Sequence, residues 1–138
     1  MEIEVTAGIP NAYSQDDRRR FQELVRDGGE VDTAVLQQNV EAARSLVFAS
    51  SGGKLVGVAA LKRPKASYRR KIGKKSGIAL SQDEYSYELG YVFVRESARG
   101  NGIAHRLVAA SLKESDGKAV FGTVRTDNFE PPRDCRRP

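Results

Sequence analysis

Hydrophobic positions in the first third of the chain predict one strand followed by two helices. Residues 1–6 alternate polar and apolar side chains, a period of two that is typical of a strand. Ser14 is a candidate helix N-cap, and the apolar residues that follow it lie on one helical face as far as Gly28. A second helix is expected over residues 32–43, with Asp32 as its N-cap.

Two apolar runs, over residues 45–50 and 54–61, predict a β-hairpin because Gly52-Gly53 lies between them. The second run is apolar on both faces, which indicates a strand in the middle of a sheet. It contains three small residues that either leave room for a ligand or allow close backbone packing: Gly57, Ala59 and Ala60.

A strand, a glycine turn and a helix are predicted over residues 85–112. Aromatic and β-branched residues are concentrated in the strand, and apolar residues recur at helical spacing after Gly102. The first N–H groups of a helix have no internal partner and carry partial positive charge. Gly100 and Gly102 let a ligand approach the main chain, and Arg99 adds a positive charge, so this turn is suited to bind phosphate.

A basic segment separates the hairpin from this central strand, and a last strand is predicted over residues 118–126. Residues 62–77 hold eight Lys and Arg and no acidic residue, whereas acidic residues outnumber basic ones elsewhere. The connection over residues 62–83 is longer than neighbouring antiparallel strands need. Its composition is typical of a solvated loop, and Tyr68 among arginines is also compatible with contacts to nucleic acid.

The whole-chain composition predicts one cytoplasmic domain. A length of 138 residues with 39% hydrophobic content suits a single core. No apolar run approaches the roughly 20 residues that span a bilayer, and the acidic start MEIEV does not resemble a signal peptide. Cys135 is the single cysteine, which excludes an internal disulfide.

The glycine turn carries a family signature. Arg99-x-x-Gly102-x-Ala104, between the strand ELGYVFV and a helix, resembles the Arg/Gln-x-x-Gly-x-Gly/Ala motif of the GNAT superfamily of N-acetyltransferases. The resemblance covers residues 1–128, taken as one domain. It implies an α/β fold with a mixed, mostly antiparallel sheet flanked by helices and a V-shaped cofactor cleft between the fourth and fifth strands. It also implies acetyl-CoA as the co-substrate.

The same resemblance assigns roles to individual residues. The end of the fourth strand would hold the pantetheine arm and offer an N–H to the oxyanion, and the signature loop would bind the pyrophosphate. Asn128 matches the exit from the family's fifth strand, beside the thioester. The implied cofactor-binding residues are Val92, Phe93, Val94, Arg99, Gly100, Asn101, Gly102, Ile103, Ala104 and Asn128.

Glu88 is the candidate general base. It lies six residues before Val94, where some family members carry a catalytic glutamate. Aromatic neighbours would partly remove its carboxylate from water, which favours proton uptake from an ammonium group. The alternative is a surface charge paired with a nearby Lys or Arg. No tyrosine can be carried over as the general acid, because the family places it on a helix after the fifth strand.

The chain departs from the family's pattern after residue 128. Two consecutive prolines and the residues behind them are not expected to supply a further helix and two strands, so residues 129–138 are predicted to be an irregular Pro/Arg-rich tail. The apolar segment 119–126 would then be an exposed edge strand. Because exposed edges pair with other chains, a homodimer through this edge is expected.

Three functions stay open at this level. The first is an N-acetyltransferase that acts on a primary amine of a small molecule or a protein. The second is a non-catalytic acyl-CoA-binding module, which the departure after residue 128 favours. The third is binding of nucleic acid or an acidic partner through the basic segment 62–77.

Overall fold

The computed structural model describes residues 2–29, 33–63 and 87–122. Within these ranges the strands form one five-stranded sheet in the order β1-β2-β3-β4-β5. They are β1 (Glu4–Gly8), β2 (Ser45–Ser51), β3 (Lys54–Lys62), β4 (Tyr87–Val94) and β5 (Val120–Gly122). The first four strands pair antiparallel, and β5 joins β4 in parallel. The predicted mixed, mostly antiparallel sheet is therefore confirmed, with β3 at its centre.

In the described part of the chain, three α-helices cover the two faces of this sheet. They are α1 (Gln15–Asp27), α2 (Thr33–Glu41) and α3 (Ile103–Lys113). The predicted cap of α1 is confirmed, since the backbone N–H of Asp17 donates to Ser14 Oγ over 3.0 Å. Asp32, the expected cap of α2, lies outside the described residues. No helix in the described ranges is both long and apolar enough to cross a bilayer.

The sheet divides the hydrophobic core into two layers. One layer packs under α1 and α2, and its fully buried side chains include Phe21, Leu36, Leu46 and Val58. The other packs under α3, and its members include Val47, Ala59, Ile103 and Leu107. Each strand of the middle of the sheet is thus buried on both faces, which explains the nearly continuous apolar run in β3.

Close packing explains the glycine in β3. A Cβ atom added at Gly57 would lie 3.1 Å from both Ile103 Cγ2 and Leu107 Cδ1 of α3. The helix therefore rests directly on the strand backbone at this position. Of the two explanations that the sequence left open for this glycine, the structure supports packing of a helix rather than room for a ligand.

The outer strands differ from their predicted bounds. β1 begins and ends later than expected because its register is set by β2, with Glu4 opposite Ser50 and Gly8 opposite Leu46. β5 covers only the start of the predicted last strand, and residues 123–126 lie outside the described ranges. Assembly of two chains through the 119–126 edge stays a prediction.

Replacing Gly57 should separate α3 from the sheet. We expect Gly57→Val to lower the free energy of unfolding by about 1–3 kcal/mol, because the larger side chain would push α3 away from β3. Urea unfolding measures this change, with Lys54→Ala at the exposed start of the same strand as the control. Equal stability of the two variants would contradict the packing described here.

Candidate functional site

A bulge interrupts β4 where it passes the middle of β3. Val58 pairs with Phe93 and Ala60 with Gly90, so Tyr91 and Val92 together lie opposite Ala59. Tyr91 takes a left-handed backbone conformation, with φ of +52°. The extra residue changes which side chains point to which face of the sheet. Without the bulge, Leu89 and Tyr91 would share a face, whereas here they belong to opposite core layers.

Tertiary contacts hold Tyr91 in this unusual conformation. Asn39 on α2 donates its side-chain N–H to the Tyr91 hydroxyl over 3.0 Å. The Phe21 ring meets the Tyr91 ring edge-on, with centroids 6.5 Å apart. Positive φ is costly for a residue with a bulky side chain, so the neighbours must supply the stabilisation. Sequence patterning placed Tyr91 on the strand but assigned it no role.

The residues after the bulge are split between the two faces. Val92 and Val94 are buried under α3, and Phe93 lies on the opposite face against Gly28. The pairing of β5 with β4 extends over Tyr87–Leu89, and among the described residues Gly90–Val94 has no partner on that side. This part of β4 therefore offers backbone groups along the edge where the resemblance puts the pantetheine arm.

The glycine loop has the open backbone that the sequence predicted. Gly100 and Gly102 have φ of +85° and +71°, and an added Cβ would meet no atom within 4 Å at either position. The Asn101 side-chain amide donates to the carbonyl of Ala98 over 2.9 Å. Arg99 Nε donates to the carbonyl of Val94 over 3.2 Å, which ties the loop back to β4.

The start of α3 completes this loop. Ile103 is buried in the core, and Ala104 packs against it half-exposed. The N–H of Arg106 bonds to the carbonyl of Gly102, so the N–H groups of the first turn precede that bond and have no intrahelical acceptor. Gly102 supplies no side-chain cap to them. The arrangement is able to hold an anion at the helix start.

Glu88 is both buried and paired. It is 1% exposed, and Lys62 Nζ lies 3.3 Å from its Oε1 across the β3–β4 pair. On its other side Glu88 is in register with Phe121 of β5. The structure thus combines features of both interpretations of this residue, a carboxylate removed from water and one that faces a lysine.

An open depression of about 480 Å³ adjoins the end of β4. Its lining includes the aromatic ring of Phe93, the cationic side chains of Lys54 and Arg95 and the acidic side chains of Asp27 and Glu96. Arg95 is fixed by donating Nε to the carbonyl of Leu55 over 2.8 Å. Neither Lys54 nor Arg95 was singled out from the sequence, because they are 41 residues apart and meet only through the β3–β4 pairing. Asn128 lies outside the described residues.

Comparison with known proteins assigns a family to this arrangement. The model of the acetyltransferase (GNAT) family matches residues 10–130, which is most of the chain. No curated protein matches the sequence.

Solved structures of similar fold share little sequence with the chain. Escherichia coli ElaA aligns with a TM-score of 0.60 at 15% identity, covering 88% of this chain and 77% of its own. A ribosomal-protein-alanine N-acetyltransferase from Brucella melitensis biovar Abortus 2308 aligns with a TM-score of 0.54 at 15% identity, covering 90% and 81%. An aminoglycoside acetyltransferase from an uncultured soil metagenomic sample aligns with a TM-score of 0.53 at 22% identity, covering 91% and 82%.

The hydrogen bond between α2 and the β4 bulge is open to a direct test. We expect a double-mutant cycle of Asn39→Ala and Tyr91→Phe to give a coupling energy of about 0.5–1.5 kcal/mol in urea unfolding. The reason is that each change alone removes the same bond. Strictly additive effects would contradict the contact, and Tyr13→Phe, which removes a hydroxyl bonded to Thr6, serves as the control for tyrosine truncation.

Proposed function

Because the chain belongs to the acetyltransferase (GNAT) family, we propose that it transfers the acetyl group of acetyl-CoA to a primary amine of a small molecule or a protein. The observation that carries this proposal is the glycine loop at the start of α3, with Gly100 and Gly102 both in the left-handed region. Family membership makes acetyl transfer the expected chemistry. Dependence on acetyl-CoA and the amine acceptor are the proposed parts.

The described residues fit the co-substrate. Uncapped N–H groups at the first turn of α3 would bind the pyrophosphate, helped by the helix dipole. The side of β4 after Leu89, which has no strand partner among the described residues, would hydrogen-bond the pantetheine arm as an added strand does.

Glu88 would act as the general base. Its carboxylate takes one proton from the acceptor ammonium, and the amine nitrogen then attacks the thioester carbon. A C–N bond forms and the C–S bond breaks. The nitrogen loses its second proton to water, and the leaving thiolate takes a proton from water to become the free thiol. A backbone N–H within Val92–Val94 would stabilise the oxyanion.

The acceptor class stays broad in this proposal. The compared structures include enzymes named for an aminoglycoside and for a ribosomal protein, so relatives of this fold act on small and on macromolecular acceptors. A second candidate function is coenzyme binding without turnover. The contact between Lys62 and Glu88 favours it, because the candidate base already faces a cation. The basic segment 62–77 lies almost entirely outside the described residues, and its binding of nucleic acid stays a prediction.

Coenzyme binding should depend on Gly102. We expect acetyl-CoA at 100 times its Kd to stabilise the protein by about 2.7 kcal/mol, seen as a rise in Tm. Gly102→Asp should abolish this rise, because it adds bulk and negative charge at the helix start. Gly53→Asp is the matched control, since Gly53 also has positive φ and open space but lies in the β2–β3 turn. Equal acetyl-CoA stabilisation of both variants would overturn the proposed site.

Turnover should depend on Glu88. We expect Glu88→Gln to lower kcat for acetylation of a primary amine by about 10²–10⁴-fold, the usual contribution of a general base. Its Kd for acetyl-CoA should change little. The measurement is thiol release followed with a disulfide reagent, with Glu23→Gln on the exposed face of α1 as the control. An unchanged kcat would assign proton removal to water or to another group.

A further inference from the structure

We infer that the ammonium of Lys62 occupies the subsite for the acceptor ammonium, so that Lys62 must leave before an amine substrate can bind. The inference rests on the proposed function, because it takes Glu88 as the base. It adds an internal competitor that neither the family assignment nor the fold describes. Lys62 would then set both the affinity for the acceptor and the activity of the resting protein.

Among the described residues, three features lie around the Lys62 ammonium on one face of the sheet. The carboxylate of Glu88 lies 3.3 Å from Nζ, and the centroid of the Tyr91 ring lies 4.5 Å from it. The third feature is the bare backbone of Gly90. A carboxylate beside an aromatic face is a combination with which proteins bind ammonium ligands.

Gly90 makes room for the aliphatic stem of the lysine. A Cβ atom added there would lie 2.6 Å from Lys62 Cδ and 3.3 Å from Nζ. The side chain therefore crosses from β3 over the glycine to reach the carboxylate. A side chain at this position would displace the lysine stem, so the bare backbone of Gly90 leaves room for an unbranched alkyl ammonium to lie across β4.

The bulge brings the aromatic face of Tyr91 beside the bare backbone of Gly90. In a regular strand, Tyr91 would point to the face opposite Glu88 and Gly90, whereas the left-handed conformation turns it to the same face. Asn39 then fixes the ring from α2. The strained Tyr91 and the bare Gly90 thus both lie beside the Lys62 ammonium. An ordinary ion pair between two strands needs neither of them.

The position of the subsite suits an acceptor. Glu88 precedes Leu89, which forms the last described pair of β4 with β5 at Gly122. The subsite is therefore next to the last described β4–β5 pair, and beyond that pair lies the part of β4 proposed for the pantetheine arm. Lys62 is the last residue of β3, and its side chain keeps 21% exposure, so it has a route to solvent.

Chemical complementation tests the inference. Lys62→Ala removes three carbons and the ammonium, a gap that matches n-propylammonium. We expect 20 mM propylammonium to raise the Tm of Lys62→Ala by several degrees, while leaving the wild type and the control Lys54→Ala unchanged. The isosteric neutral alcohol 1-propanol should have no such effect. In the double variant with Glu88→Gln the response to propylammonium should be lost.

The same variant is then assayed with acetyl-CoA and propylamine. We expect thiol release by Lys62→Ala at least 10-fold faster than by the wild type at low amine concentration, through a lower KM, because the competitor is gone. Lys62→Thr, which suits a strand, replaces Lys62→Ala if the latter does not fold.

The outcomes separate the inference from the proposed function. Equal responses of wild type and Lys62→Ala to propylammonium, or an equal response to 1-propanol, would overturn the ammonium subsite. A selective Tm response without acetylation would retain the subsite and overturn acetyl transfer to an amine. Acetylation that Lys62→Ala slows through kcat would make Lys62 a positioning residue for Glu88 and overturn its role as a competitor.

Discussion

The bulge in β4 is the constraint on which the site depends. One additional residue opposite Ala59 reverses which alternate side chains of β4 point to each face of the sheet. Before the bulge, Glu88 and Gly90 lie on the face covered by α1 and α2. After the bulge, Val92 and Val94 pack against α3 on the other face. The left-handed Tyr91 between them is held by Asn39 from 52 residues away. Tertiary packing thus stabilises a local conformation that the strand alone would avoid. The position of the Lys62 ammonium and the packing of α3 on β4 both depend on this conformation.

Much of the fold was predictable because it rests on local signals. Ser14 capped the helix it was expected to cap, the Gly52-Gly53 turn joined β2 and β3, and Gly100 and Gly102 took the left-handed conformations that make an anion site at a helix start. The bulge was not predictable, since a tyrosine with positive φ has no signature of the kind that a glycine has. The Lys62–Glu88 contact also depends on a strand register that the intervening residues do not specify. The single domain over residues 1–128 and the role of Asn128 remain predictions.

Some glycines of this chain are needed for close packing, and others are needed for an accessible backbone. Gly28, Gly57 and Gly90 are surrounded, and an added Cβ would meet Phe93, α3 or Lys62 at 3.1 Å or less. At Gly100 and Gly102 an added Cβ would contact no atom within 4 Å, so glycine is needed there for its positive φ alone. The first class holds elements at close distance, while the second leaves the main chain accessible. A ligand that approaches backbone amides needs the second class, which is why the loop and not β3 carries the proposed phosphate site.

The parallel attachment of β5 has a consequence for how the parts of the site are connected. Strands β1 to β4 pair antiparallel with their neighbours in the chain, whereas β5 joins β4 in parallel after a crossover through α3. A parallel pair needs such a crossover, because a tight turn cannot join its strands. The candidate base on β4, the glycine loop and the strand opposite the base therefore belong to one continuous β4–α3–β5 unit. A displacement of α3 would move both the proposed phosphate site and the pairing beside Glu88, which links the two through the course of the chain itself.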